Sequence, residues 1–241
     1  MNFSTAETPA PTGWRSAIAW KGIDSRPDGN RLSMQDCELL GDGSGIHLDG
    51  AIHRLEFHNV LKTGPGHLCN LSEGLKPSLQ SALLERVTCR DISGLFRFQG
   101  TWLDRLSAQR KKFSVELNGC VLSVLPKEGA LIEMIASELP DRWNQIIEII
   151  GENSLAAKGL TLVNWRRTSG ELPENPPGVD DLLLEGLMVG DLKYAGNSLQ
   201  NPADSTITRQ SSVSLTSSTS GLGYRPVQVR TAQSDGQLQA N

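Results

Sequence analysis

The sequence predicts an all-β fold, a right-handed parallel β-helix (solenoid) of about six irregular coils over residues 29–196. Two recurring patterns indicate it: pairs of apolar residues separated by two others, and glycines followed by a short apolar run. The runs end at Gly, Asn or Asp after only a few residues. This is typical of strands, since helices need longer uninterrupted windows. Repeats of this length are typical of solenoids, whose strands stack about 4.8 Å apart.

The residues before the first coil, 1–28, are predicted to form a loose N-terminal segment and a cap. Residues 1–13 are rich in Thr, Pro and Ala, whereas Ile18 and Trp20 alternate as in an opening strand. Residues 28–30 (Asp-Gly-Asn) are a turn signal. The chain begins with neither a basic nor an apolar signal region, so we expect a cytoplasmic location if this start is native.

Apolar pairs along the middle of the chain define the coils. Their first members follow one another at intervals of 23, 27, 33, 33 and 34 residues, and a solenoid tolerates such drift because extra residues bulge out at corners. The copy at Ile150 is incomplete, because Asn153 stands where the second apolar residue is expected. The complete pairs are Met34 and Cys37, Phe57 and Val60, Leu84 and Val87, Leu117 and Cys120, and Leu184 and Leu187. The apolar runs begin at Gly45, Gly66, Gly94, Gly129 and Gly159.

Insertions are predicted at the corners, and a tail after the last coil. Residues 101–112 have the pattern of a short amphipathic helix, and the prolines in 166–180 favour an open loop. Residues 197–241 are rich in Ser, Thr and Gln and poor in apolar residues. We therefore expect a disordered tail with a brief extended piece at 224–229.

Composition excludes several classes of protein. The net charge of −4 argues against a general nucleic-acid binder, and no apolar run is long enough to span a membrane. Four cysteines lie at positions 37, 69, 89 and 120 without CxxC spacing, which gives no support to zinc-ribbon or thioredoxin interpretations. We expect reduced thiols in the core, with Cys37 and Cys120 at the same repeat position.

With its repeats aligned, the chain resembles a right-handed parallel β-helix of the pectate-lyase-like superfamily. Residues 84–89 (Leu-Glu-Arg-Val-Thr-Cys), 129–134 (Gly-Ala-Leu-Ile-Glu-Met) and 138–140 (Glu-Leu-Pro) are similar to β-helix regions of large planctomycete proteins, some attached to serine/threonine kinase domains. The chain itself has no kinase Gly-rich loop, HRD or DFG motif. The resemblance implies a stacked-strand platform of unknown ligand that serves as an accessory region of a larger protein.

The histidines supply the candidate site, an exposed column on adjacent coils. His47 is flanked by residues expected to face inward, so His47 faces out, and Asp49 points the same way. If Leu68 faces inward, His67 and Cys69 face out in the next coil, and Arg97 does so in the third. Clustered histidines can bind a metal, but solvated surface histidines are the simpler interpretation, so we assign no metal, cofactor or catalytic residue.

Other chemistry-bearing residues have simpler structural explanations. The early acidic residues fit turns, and calcium would need six to eight converging oxygens. Adjacent strand carboxylates point to opposite faces, which disfavours a hydrolase pair. The glycine-rich turn at 41–45 lacks the Lys-Ser/Thr ending of a phosphate loop. The residues concerned are Asp36, Asp42, Asp91, Arg86, Arg90, the Asp180–Asp181 doublet, the basic group Arg105, Arg110, Lys111 and Lys112, and the corner residues Trp102 and Trp143.

Two classes of function follow. The favoured one is a non-catalytic β-helix module that binds a ligand, a protein or a polysaccharide, or has a structural role. The alternative, based on fold analogy, is a carbohydrate-active polysaccharide lyase or glycoside hydrolase. An enzyme should show convergent carboxylates together with Arg or Lys in one exposed cleft of the stacked sheets.

Overall fold

The computed structural model describes ten segments of the chain, and fourteen strands lie within them. The segments are residues 16–21, 30–49, 52–71, 79–99, 112–125, 129–136, 145–167, 184–194, 196 and 223–225. The strands are β1 (Ser16–Lys21), β2 (Arg31–Leu40), β3 (Ser44–Asp49), β4 (Arg54–Thr63), β5 (His67–Leu71), β6 (Ser81–Glu85), β7 (Thr88–Ile92), β8 (Gly94–Gln99), β9 (Phe113–Asn118), β10 (Val121–Val124), β11 (Ala130–Ala136), β12 (Ile147–Ala157), β13 (Thr161–Arg167) and β14 (Leu184–Gly190).

These strands form two parallel sheets that the chain visits in turn. Sheet 1 has the order β1-β3-β5-β8-β11-β13. Sheet 2 contains β2, β4, β6, β9, β12 and β14, with β7 and β10 continuing the coils of β6 and β9. The parallel solenoid is therefore confirmed. It has about four turns rather than the predicted six; the last predicted copy, at Leu184, supplies β14 to sheet 2 but no described strand to sheet 1.

A column of left-handed residues bends every coil of sheet 2 at the same point and explains the apolar pairs. Asn59, with φ of 53°, lies between the two halves of β4, and its register neighbours on either side are also left-handed. Strand alternation restarts after this bend, so Phe57 and Val60 both face the core although they are three residues apart. The column consists of Asp36 (53°), Asn59 (53°), Arg86 (53°), Gly119 (62°), Asn153 (48°) and Gly186 (70°).

The same column explains the incomplete copy at Ile150. Leu117 pairs in register with Gly151, so the coil is aligned one residue later than the apolar pattern suggests. Asn153 is the left-handed bend residue, and Ser154 takes the inward position that Cys120 holds in the preceding coil. Ser154 is fully buried; its hydroxyl accepts a hydrogen bond from the Cys120 amide at 3.0 Å and donates one to the carbonyl of Glu152 at 3.0 Å.

Stacked apolar side chains fill the space between the sheets. In sheet 1, Cys69 lies in register between Ile46 and Phe96. Phe113 of sheet 2 packs edge-on against Phe96 and Phe98, with ring centroids 5.3 and 5.2 Å apart. Such aromatic contacts across the two sheets fix their separation. All four cysteines are unbridged, and three of them are buried, in agreement with the predicted core thiols.

Lys62 is the exception in this core. It occupies the interior position that Leu39 and Cys89 take in the neighbouring coils, and only 1% of it is exposed. Its ammonium group donates to the carbonyls of Gly41 (2.9 Å), Thr63 (3.1 Å) and Gly64 (3.1 Å). Each coil has two corners: the left-handed bend within sheet 2 is the first, and the turn from sheet 2 to sheet 1 is the second. The three carbonyls lie at the second corner. Lys62 therefore ties two successive corners together from inside.

The second corner requires glycine for close stacking. A Cβ on Gly66, whose φ is 112°, would overlap the carbonyl oxygen of Gly43 in the coil below. The Gly41 and Gly43 amides donate to the carbonyls of Thr63 (3.0 Å) and Pro65 (2.8 Å) of the next coil. Their donors are thus used within the solenoid rather than arranged around a phosphate, which agrees with the structural interpretation of this turn.

Replacing Phe113 with alanine should destabilise the protein by about 3–5 kcal/mol, because it empties a fully enclosed position between the two sheets. Chemical denaturation followed by circular dichroism measures the loss. The exposed neighbour Lys112 provides the control, and Lys112→Ala should change the free energy of unfolding by less than about 0.5 kcal/mol. Equal effects of the two substitutions would contradict the assigned core.

Replacing Lys62 with methionine should change how stability depends on pH. Burial lowers the pKa of Lys62 from 10.5 to about 8, so between these values the unfolded chain holds a proton that the folded chain has lost. Wild-type stability therefore gains from Lys62 as pH rises through this window, by up to about 3 kcal/mol, and the K62M variant lacks this gain.

Burial raises the pKa of Cys69, Cys89 and Cys120, which acts in the opposite direction at alkaline pH. Because both proteins keep these thiols, the quantity to compare is the difference in free energy of unfolding between wild type and K62M from pH 7 to 10.5. A difference that stays constant over this range would show that Lys62 does not titrate as a buried amine.

Candidate functional site

A column of polar residues follows the outer face of sheet 1, one residue per coil. Each member stands between two inward-facing apolar residues, as Arg97 does between Phe96 and Phe98. Strand alternation therefore turns the polar residue outward. Strand register places them one above another. We call this the outer polar column; its members are His47, Asn70, Arg97, Glu133 and Asn164.

Glu133 is the acidic residue around which the nearby basic side chains lie. His67 Nε2 lies 3.1 Å from Glu133 Oε2, and Arg97 Nε lies 3.4 Å from the same oxygen. Arg166 Nε approaches Oε1 at 3.7 Å from the next strand. The His67 contact is close but not aligned as a hydrogen bond, so its effect is that of a nearby charge or dipole. The carboxylate is thus surrounded on three sides by basic groups.

The electrostatic consequence is a carboxylate that stays ionised. Burial alone would raise the pKa of Glu133, but the contact with His67 and the positive charge of Arg97 outweigh it and lower the pKa below its ordinary value of 4.5. Burial also lowers the pKa of Arg97, partly offset by Glu133. The two groups therefore stabilise one another as a charged pair that is largely removed from water.

Asn70 leaves hydrogen-bonding capacity unused beside this pair. It lies between His47 and Arg97 in the column and is 0% exposed. Neither its amide nitrogen nor its amide oxygen has a partner in the part of the chain that the structure describes, and the same holds for His47 Nδ1. A buried amide without partners costs about 1–3 kcal/mol, so Asn70 is the point in the column where a polar group or water would gain most.

The predicted column is assembled in part. Arg97 and His67 come together through Glu133, and His47 lies in the same column as Arg97. Asp49 lies two residues beyond His47, at a different register position from the column. It pairs in register with Lys21, and its strand is two places away from that of Arg97. Glu133 and Asn70 were missed, although a polar residue between two inward apolar residues marks both.

The predicted outward orientation of Cys69 is wrong. Cys69 is fully buried and belongs to the core, as does Leu68 before it. Near the start of β5, β8 and β11, two consecutive residues enter the core, so alternation counted from Leu68 goes out of step by one residue. Asn70 takes the outward place instead.

The other candidates either hold corners or lie outside the described residues. Asp36 and Asp91 both have left-handed backbone, and Arg90 Nε lies 3.4 Å from Asp91 Oδ2, as expected of structural turn residues. Among the described residues, no group of three or more His, Cys, Asp or Glu side chains could hold a metal ion. The candidates outside the described residues are Asp180, Asp181, Arg105, Arg110, Lys111, Trp102 and Trp143.

A second ion cluster lies on the outer face of sheet 2. Glu56, whose side chain is 3% exposed, pairs with Arg31 and lies 2.7 Å from Arg54 Nε. His58 Nε2 is 3.5 Å from Glu56, and its Nδ1 is 3.0 Å from Glu85. Burial raises the pKa of Glu56, but contacts with Arg31 and His58 and the charge of Arg54 bring it below the ordinary value. This cluster joins three successive coils.

Three residues of the tail, 223–225, dock along the bend column. The amides of Gly223, Tyr224 and Arg225 each donate to a different coil. We call these residues the docked segment, and the surface that receives it, formed by Asn59, Thr88 and Gly119, the corner groove. The docked segment therefore runs across the strands, along the solenoid axis. Of the extended piece predicted at 224–229, residues 224–225 are described and belong to the docked segment, and the rest lies outside the described residues.

Comparison with protein-family models, with curated proteins and with solved structures found no match. The class that the geometry defines is a parallel β-solenoid with a charge cluster on the outer face of each sheet and a docked tail segment. No helix among the described residues is long and apolar enough to cross a membrane.

Replacing Glu133 with glutamine should destabilise the protein by about 2–3 kcal/mol at neutral pH, because the substitution removes the carboxylate charge that lies beside the buried Arg97 and next to His67. The lowered pKa of Glu133 means that its contribution is present above pH 4.5 and is lost as pH falls further. The stability difference between wild type and E133Q should therefore narrow below pH 4.5 in thermal denaturation. The control is E116Q at an exposed position of β9, which should change stability little at either pH. A pH-independent difference would contradict the ion-pair assignment.

Proposed function

We propose that this chain is a non-catalytic β-helix module that binds a protein or polysaccharide ligand or serves as a structural region of a larger protein. We also propose that the chain is a member of the pectate-lyase-like superfamily and is related to β-helix regions of planctomycete proteins. Its support is the parallel solenoid itself together with the sequence resemblance at residues 84–89 and 129–134.

The observation that carries the proposal is the arrangement around Glu133. A carboxylate in acid–base chemistry must exchange a proton near the working pH and reach a substrate. Glu133 is instead buried, held by His67, Arg97 and Arg166, and kept ionised. Glu56 is enclosed by basic groups in the same way. Both arrangements are those of structural ion clusters that lock successive coils.

One observation favours the alternative, a carbohydrate-active lyase or hydrolase. Arg97 and Glu133 do bring a base and a carboxylate together, and burial lowers the pKa of Arg97, as proton abstraction by arginine would require. Asn70 beside them has free hydrogen-bonding capacity. An enzyme built on this cluster would therefore depend on Arg97 and Glu133 together.

A depolymerisation assay separates the two. The intact protein is incubated with a panel of polyuronates and neutral polysaccharides, with and without calcium, and unsaturated products and reducing ends are measured. We expect no turnover above that of a heat-denatured sample. Activity that is lost in R97K and in E133Q, but retained in E116Q, would overturn the module and establish the enzyme.

A further inference from the structure

We propose that the corner groove is a binding site for an extended peptide of the pattern Gly-Tyr-X, and that the docked segment is its internal occupant. This deepens the proposed function by naming the class of partner, a protein with an exposed Gly-Tyr segment. The groove consists of groups on three successive coils: Asn59 and Gly119 at the left-handed bends, and Thr88 two residues after the bend residue Arg86.

The groove recognises the peptide backbone first. Gly223 N donates to the carbonyl of Gly119 at 2.7 Å, and Tyr224 N donates to Thr88 Oγ1 at 2.8 Å. Arg225 N donates to Asn59 Oδ1 at 2.7 Å, and Asn59 Nδ2 donates back to the Arg225 carbonyl at 2.9 Å. The Asn59 amide thus pairs with one residue of the segment as a neighbouring strand would.

Asn59 is held in position for this pairing. Its left-handed backbone places it at the bend, and its Nδ2 also donates to Asp36 Oδ1 in the adjacent coil at 2.7 Å. The bond to Asp36 does not involve the segment, so it restrains the Asn59 amide whether or not the groove is occupied. Such pre-organisation lowers the entropic cost of binding.

The first position of the segment must be glycine. Gly223 has φ of 76°, and a Cβ there would lie 2.5 Å from Thr88 Oγ1 and 3.1 Å from Val121 Cγ2. Both the backbone conformation and the space therefore exclude other residues. The groove therefore selects glycine over larger residues at this position, because Thr88 and Val121 leave no room for a Cβ.

The second position is read as tyrosine. Tyr224 is 3% exposed, and its hydroxyl donates to Glu38 Oε1 of an adjacent coil. A phenylalanine would fill the same space but leave that carboxylate oxygen without this donor. At the third position, the side chain of Arg225 is exposed, so only its peptide group is recognised. Proline is excluded there, because its nitrogen cannot donate to Asn59.

Because the docked segment belongs to the same chain, it competes with any free peptide at a high local concentration. A partner therefore gains access when the internal segment is displaced. The Tyr224→Ala variant removes the buried ring and its bond to Glu38 without changing any residue of the solenoid, and it should leave the groove open in the intact chain.

The test is fluorescence anisotropy with a labelled synthetic peptide corresponding to residues 220–228. The peptide should bind Y224A with measurable affinity and bind wild type at least about tenfold more weakly, because the groove is occupied in cis. A Gly223→Ala peptide should not bind, a Tyr224→Phe peptide should bind about fivefold more weakly, and an Arg225→Ala peptide should bind equally.

A matched pair of protein variants ties binding to the groove. In the Y224A background, T88V removes the acceptor for the Tyr224 amide and should weaken peptide binding about fivefold or more, whereas T88S keeps the hydroxyl and should not. Circular dichroism checks that each variant keeps its β content.

No binding to Y224A at peptide concentrations up to about 1 mM, or equal binding of the Gly223→Ala peptide, would overturn the proposal. Neither result depends on the depolymerisation assay, so the two proposals can fail separately.

Discussion

The left-handed bend column is the constraint on which the rest of the structure depends. Each coil of sheet 2 must bend at the same register position. Residues such as Asp36, Asn59 and Asn153 can do so because Asp and Asn tolerate a positive φ better than most other residue types. The bend resets strand alternation, brings two residues three apart into the core, and aligns the bends of successive coils. Both the apolar repeat and the corner groove are consequences of this one backbone conformation.

Much of the fold could be predicted from the sequence because apolar spacing records which residues face inward. Pairs such as Phe57 and Val60 predicted the strands and their parallel stacking. The alignment of the Ile150 copy could not be predicted, since Ser154 fills an apolar position through hydrogen bonds rather than hydrophobicity. Cys69 was misplaced for a related reason: the strand begins with two core residues, and pattern alone does not show where alternation starts.

The candidate site was less accessible to such reasoning. His67 and Arg97 were identified, but Glu133, which joins them, becomes meaningful only when strands 36 residues apart are placed in register. Lys62 shows the limit most clearly: spacing puts it at the position of Leu39 and Cys89, but a lysine at a repeat position does not by itself indicate full burial. Its three carbonyl partners come from two neighbouring corners, an arrangement that exists only after the coils have stacked.

The axial course of the docked segment has a mechanical consequence. A stack of repeats in which each coil contacts only its neighbours can lose coils one at a time from either end. Residues 223–225 hydrogen-bond to four coils at once, through Glu38, Asn59, Thr88 and Gly119, so separating any two of these coils must also break a bond to the docked segment. The docked segment therefore joins these coils to one another. Under a pulling force along the axis, we expect them to unfold as one cooperative unit instead of one coil at a time.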